Sequence, residues 1–183
     1  MITIKQIRGG REYFSNHLSA NDYYSEGERI TGYWQGRLAK TLGLEGKPVT
    51  REDFESLRSN RHPQTGEKLR QRGAKVTFHD IVISAPKSYS IVALVGGDER
   101  LVDGFNRAVD KAFKRLEKLT GARERSGNNN RTENITRTGN GIAAVFKHDT
   151  SRLLDPQLHT HLVFSNHTWS EERGGYYALQ SKE

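Results

Sequence analysis

Two segments of this chain read as neighbouring β-strands, and their pairing constrains the rest of the fold. Residues 142–148 and 158–165 are apolar and alternating, and the polar, Pro-containing link between them lets the chain fold back as a loose hairpin. Side chains on a strand point alternately to opposite faces. His159 and His161 therefore share a face with Val163, while Thr160, Leu162 and Phe164 face the other way. His148, at the far end of the first strand, comes beside them as a third imidazole.

Three neutral imidazoles with no fourth protein ligand in the motif describe an open coordination site, the arrangement used where a metal must meet a substrate. An isolated His-x-His pair is usually two polar positions on a solvated strand. This pair has a third His at a strand end and Asp149, Arg152 and Asp155 in the link, which points to a functional site. The chain has no Cys, so the common thiolate zinc clusters are excluded.

With 183 residues the chain suits one domain with a real core. Lys and Arg number 29 against 22 Asp and Glu, a formal charge of +7, which favours a polyanionic partner, nucleic acid first. No run of about eighteen apolar residues is present for a membrane span, and the start at Met1 carries no signal-peptide core, so we expect no membrane insertion and a cytoplasmic location.

The remaining elements follow from period and punctuation. Residues 3–7 read as a short strand and residues 11–18 as a helical turn or two bearing Tyr13 and Phe14. After Tyr23-Tyr24 and Tyr33-Trp34, a helix is expected over 35–42, stopped by Gly43. Thr50 and Asp53 form a capping box that opens a helix to about residue 59. Residues 61–73 read as basic loop. Residues 75–84 form the clearest strand, with Val76, Phe78, Asp80 and Val82 on one face. A carboxylate on an apolar stripe costs several kcal/mol unless it is paired, so Asp80 meets a cation or hydrogen-bond donors, or its face is an active site. Pro86 ends that strand. Asp98 caps a long helix whose stripe is expected at Leu101, Phe105, Ala108, Ala112, Leu116 and Leu119, with Gly121 as its stop. Residues 121–141 read as a mobile, Arg-rich excursion, and residues 169–179 as one more short strand pair.

Several of these segments together resemble the MobF class of conjugative relaxases, the TraI and TrwC type. They are Tyr13-Phe14, Tyr23-Tyr24, Trp34-Gln35-Gly36 through Leu42-Gly43-Leu44, Ser84-Ala85-Pro86-Lys87-Ser88, the helix after Gly97-Asp98, and His148-Asp149-Thr150-Ser151-Arg152 leading to Asp155-Pro156-Gln157-Leu158-His159-Thr160-His161. They follow the family order over essentially the whole chain, residues 1–183, which the resemblance makes one relaxase domain, with a truncated C-terminal end as an expectation. The resemblance implies an α+β fold, an antiparallel sheet with flanking helices of the HUH endonuclease type.

It further implies metal-dependent, site- and strand-specific nicking of plasmid DNA at an origin of transfer. His148, His159 and His161 would hold a divalent cation, Mg or Mn first and Zn or Ni as alternatives. A tyrosine would attack the phosphodiester, giving a 5′-phosphotyrosyl intermediate that is later rejoined. Tyr13 matches the first nucleophile by order and Tyr23 the second, with Tyr24 in reserve. Asp80 matches the carboxylate beside the metal ligands, where it would orient an imidazole or accept the tyrosine proton. Single-stranded or hairpin DNA is the implied partner, with Lys87, Arg152, Trp34 and the arginines of residues 123–137 as candidate contacts, and conjugation accessory proteins as further partners. The competing readings are a rolling-circle replication initiator or transposase of the HUH class, and a non-catalytic DNA-binding module whose metal is structural.

Overall fold

The computed structural model describes residues 1–9, 32–123, 135–151 and 153–180. The chain runs β1 (Ile2–Arg8), β2 (Tyr33–Gln35), α1 (Arg37–Thr41), α2 (Arg51–Arg58), β3 (Val76–Ser84), α3 (Lys87–Leu94), α4 (Glu99–Leu119), β4 (Gly121–Arg123), β5 (Ile135–Arg137), β6 (Ala143–Thr150), β7 (Pro156–Ser165), β8 (Thr168–Ser170) and β9 (Gly175–Tyr177). Five strands form one antiparallel sheet in the order β1-β3-β7-β6-β2, and β4-β5 and β8-β9 are separate two-stranded ribbons. The expected α+β arrangement, an antiparallel sheet with flanking helices, is borne out.

The strand alternation gives the sheet two apolar faces. One carries Ile7, Phe78, Ala144, Phe146 and Val163, covered by Trp34, by Leu38 and Ala39 of α1, and by Phe54 and Leu57 of α2. The other carries Ile81, Ala143, Val145, Leu162 and Phe164 and is covered by Val109 and Phe113 of α4. The apolar stretches of β6 and β7, Ala143 to Phe146 and Leu162 to Phe164, are thus buried on both sides. Phe54 stacks on Phe78 at 4.3 Å and Phe113 on Phe164 at 5.3 Å, joining helix to sheet on each face.

Local signals fix several elements. The Thr50 hydroxyl accepts from the Asp53 amide at 3.1 Å, so the capping box is present and α2 starts where it was expected. The Asp98 carboxylate accepts from the Arg100 amide at the start of α4. Gly36 has φ +121°, and a Cβ there would lie 2.3 Å from the Gly141 carbonyl oxygen. That same oxygen accepts from the Leu38 amide, so only glycine lets the start of α1 dock onto the chain entering β6.

Six expectations need correction. The helix placed at 35–42 begins at Arg37, because Tyr33 to Gln35 pair with β6 as an edge strand. Helix α3 was not foreseen: Ile91, Val92 and Val95 make an apolar run without a polar side, and they are 44%, 54% and 69% exposed. In α4 Val109 and Phe113 are buried with the expected Phe105 and Leu116 packed beside them, whereas Ala108 and Leu119 are exposed. Gly121 does not stop α4, since Thr120 caps it in an extended conformation and Gly121 opens β4. The two ends of the stretch 121–141 are not an excursion: they pair as β4 and β5, and Asn140, Gly141 and Ile142 are buried. Finally Trp34, expected as a base-stacking aromatic, is 0% exposed and lies in the core under α1 and α2, so it packs and does not present its ring to DNA.

Candidate metal centre

Register brings the histidines together. His148 on β6 is directly opposite His159 on β7, and Phe146 is opposite His161. On the other side of β7, Val82 is opposite His161 and Asp80 is opposite Val163. Directly opposed residues of an antiparallel pair project from the same face, so His148, His159, His161 and Asp80 share the face that carries Phe146, Phe78 and Val163. The apolar end of this face is roofed by helices, and the histidines form its polar end.

The three imidazoles converge. Their ligand atoms all lie within 4.8 Å of one another. The His148 and His159 rings stack with centroids 4.8 Å apart, and His161 meets each edgewise at 5.3 and 5.4 Å. Two rings are held by their far nitrogens. Nδ1–H of His161 donates to the Asp80 carboxylate, 2.9 and 3.1 Å from its two oxygens, and Nδ1–H of His159 donates to the Gln157 carbonyl at 3.0 Å. Each bond fixes the tautomer that leaves Nε2 with a lone pair for a cation, the usual outer support of a metal-binding His. Nitrogen ligands at about 2.1 Å from a tetrahedral ion stand roughly 3.4 Å apart, a modest ring rotation from the separations seen here.

Burial favours the neutral form of His148 and of His159. His148 is 5% exposed, and desolvation, with the neighbouring His159 and His161 as smaller contributors, pushes its pKa down to about 3. Desolvation likewise lowers the pKa of His159, partly offset by its bond to Gln157. A cation therefore does not have to displace a proton from either ring near neutral pH. Three nitrogen donors, no sulfur and a carboxylate behind one ring make this a site for a divalent metal ion.

Asp80 is 5% exposed, as an acid on an apolar stripe was expected to be, and its bond to His161 accounts for it. Lys87 is exposed at the start of α3, where its ammonium lies 3.4 Å from the Asp155 carboxylate in the β6–β7 link. Tyr13, Tyr23, Tyr24 and Arg152 fall outside the described residues, as do Arg125 and Arg131. Two supports were missed from sequence. The Gln157 carbonyl that orients His159 is backbone and leaves no residue-type signal. Helix α3, packed against β7 beside the ligands, was concealed by the Pro read only as a strand terminator.

A buried polar knot at the opposite end of β7 was also missed. His167 is 1% exposed; its Nε2–H donates to Asn60 Oδ1 at 3.0 Å and its Nδ1 accepts from the Ser165 hydroxyl at 2.7 Å. Asn60 Oδ1 also accepts from the backbone amide and Nε of Arg70, which is 6% exposed, so the basic loop 61–73 is anchored at its end.

Comparison with known proteins places this geometry in a family. The model of the TrwC relaxase family matches residues 7–183. The multifunctional conjugation protein TraI of Escherichia coli strain K12 is 37% identical over 99% of this chain, and a second Escherichia coli TraI is 35% identical over the same share. The chain spans about 10% of the length of each. Among solved structures, the metal-bound conjugative relaxase TrwC in complex with oriT DNA superposes with a TM-score of 0.77 at 31% identity, covering 98% of this chain and 61% of that one. A copper-bound form of the same complex gives 0.78 at 32%, covering 100% and 62%. A third TrwC complex holds a 27-mer with the recognition hairpin and cleavage site, at 0.77 and 30%, covering 98% and 60%. The sheet order, the histidine face and the near-complete family match lead to one conclusion: this chain belongs to the TrwC relaxase family and has the HUH endonuclease fold.

Proposed function

We propose that residues 1–183 form a relaxase domain that nicks one DNA strand at an origin of transfer through a tyrosine and later rejoins it. The observation that carries this reading is the cluster of three converging imidazoles with Asp80 behind His161, on a chain of net charge +7. His148, His159 and His161 would hold the divalent ion, Mg or Mn with Zn or Ni as alternatives. When bound, such an ion draws charge from the non-bridging oxygens of a phosphodiester and favours in-line attack. Asp80 holds the His161 ring in place and fixes its tautomer.

Tyr13 is the proposed nucleophile for the first nick and Tyr23 for a second, with Tyr24 in reserve. The phenol oxygen gives up its proton and forms the new bond to phosphorus, the bond to the 3′ oxygen breaks, and that oxygen takes up one proton and leaves as a hydroxyl, so no net proton is gained or lost. A phenol has a pKa near 10, so its oxygen is also a competent leaving group and the step runs backwards. The strand therefore stays attached as a 5′-phosphotyrosyl ester and can be rejoined, an outcome that hydrolysis by water would forfeit. Lys87 and Arg152 are proposed phosphate contacts, supplying the salt-dependent share of binding. Hairpin DNA at the origin of transfer is the proposed substrate, conjugation accessory proteins the further partners, and the cytoplasm the location. No helix among the described residues is long and apolar enough to cross a membrane.

The test uses a labelled single-stranded oligonucleotide spanning the cognate origin of transfer, with Mn2+, and separation on a denaturing gel. A covalent adduct is expected with the unaltered chain, and Tyr13→Phe is expected to reduce it to background while leaving DNA affinity within about twofold. Binding without any adduct, in the presence of a range of divalent ions, would favour the DNA-binding module and overturn the nuclease reading.

A further inference from the structure

We propose that Ser90, on α3, is a positioning residue for the metal centre; this rests on the metal-dependent reading. The backbone of β7 at Leu158 is gripped on both sides by the segment that follows β3. The Ala85 amide donates to the Leu158 carbonyl at 2.9 Å, and the Ser90 hydroxyl accepts from the Leu158 amide at 3.0 Å. Ser90 Oγ donates in turn to the Pro86 carbonyl at 3.1 Å, so the hydroxyl bridges the first turn of α3 to the strand. Ser90 is 0% exposed and Leu158 is 5% exposed, which leaves water no easy route to replace it.

Leu158 stands between Gln157, whose carbonyl fixes the His159 ring, and His159 itself. Holding the Leu158 amide therefore sets both the backbone from which His159 projects and the acceptor that orients its Nδ1–H. The neighbouring link is tied to the same helix by the Lys87–Asp155 ion pair, though both partners are about half exposed and this pair contributes little. Without the Ser90 acceptor a buried amide loses its partner, and the start of β7 relieves that by shifting. The inference separates two jobs on one strand: β6 and β3 set which residues face the site, and α3 sets where the first of the two β7 ligands stands.

The experiment measures Co2+ binding by its visible absorption, whose bands report ligand geometry, on the whole chain and on four variants. Ser90→Ala is expected to weaken Co2+ binding by about tenfold, the low end for removal of an outer support of a metal ligand, and to alter the absorption bands. Ser90→Thr, which keeps a hydroxyl, is expected to recover affinity and spectrum. Ser90→Cys keeps the size but offers a poor acceptor, so it should behave like Ser90→Ala and answers the question if the alanine variant does not fold. Val109→Ala, which thins the core under α4 away from the histidines, should lower the melting temperature and leave Co2+ affinity unchanged. Equal affinity and spectrum in Ser90→Cys or folded Ser90→Ala and the unaltered chain would overturn the proposal while leaving the metal reading intact. Absence of Co2+ binding in the unaltered chain would remove both.

Discussion

His161→Ala is expected to lose a hundredfold or more in divalent-ion affinity and, with it, cation-dependent formation of the DNA adduct. Structural zinc sites of four ligands bind with about 10–16 kcal/mol, roughly 3 kcal/mol for each ligand, and 3 kcal/mol is a factor of about a hundred. His161 meets both of the other rings edgewise and is the ring backed by Asp80. Its loss leaves the stacked His148 and His159 as a two-nitrogen site. Asp80→Asn is the smaller companion change. The amide keeps the shape and can still accept from Nδ1–H, but it lacks the charge, and its NH2 can instead donate to Nδ1 and favour the wrong tautomer. That substitution is expected to weaken the ion by about ten- to a hundredfold. Calorimetric titration with Mn2+ gives both numbers, and adduct yield at saturating Mn2+ separates affinity from chemistry. Unchanged Mn2+ affinity in His161→Ala would mean that the ion sits elsewhere, and the assignment of the site would fail.

The metal face was readable in the sequence because the period of a strand is two and because register between neighbouring strands is rigid. Once residues 142–148 and 158–165 were paired, His148 had to stand near His159. Asp80 was visible as an acid interrupting Val76, Phe78 and Val82, a local conflict that pointed to function. Trp34 was misjudged for the opposite reason. An aromatic residue in a basic chain looks the same whether it stacks on a base or on a core, and only the packing of α1 and α2 decided it. Helix α3 was missed because Ile91, Val92 and Val95 carry no amphipathic signal. On α4 the expected Phe105 and Leu116 do pack against the sheet, and the misreading was Ala108 for Val109, since both fit a helical period and only contact with the sheet selects the valine. The supports made by backbone groups, such as the Gln157 carbonyl behind His159, have no side-chain signature at all.

Acidification is expected to destabilise the metal-free protein well above the range where carboxylates titrate. Burial lowers the pKa of both His148 and His167 from 6.5 to about 3, so the fold favours the neutral rings. Between those values the unfolded chain binds protons that the native state does not, and stability therefore rises with pH across the window. The full contribution is present above pH 6.5 and is lost as pH falls towards 3. At pH 5 the solution is about 1.5 units below the unfolded pKa of each ring and still above the folded one, so the loss is about 2 kcal/mol for each and about 4 kcal/mol for the two. That is a large part of the 5–15 kcal/mol typical of a domain. Burial also lowers the pKa values of His79 and His159, which adds in the same direction. The two main contributors can be separated. His167 is locked between Asn60 and Ser165, far along β7 from the metal ligands, whereas His148 belongs to the cluster. His167→Gln keeps an amide hydrogen that can donate to Asn60 Oδ1, and in chelator it should reduce the stability lost between pH 7.5 and pH 5 by about 2 kcal/mol. Saturating Mn2+ acts on the other ring, because an ion on His148 binds only the folded state and competes with protons there. Urea titrations at several pH values, with and without Mn2+, would test the assignment. A metal-free stability that stays level from pH 7.5 to 5 would show that these rings are hydrated and charge freely in the folded protein.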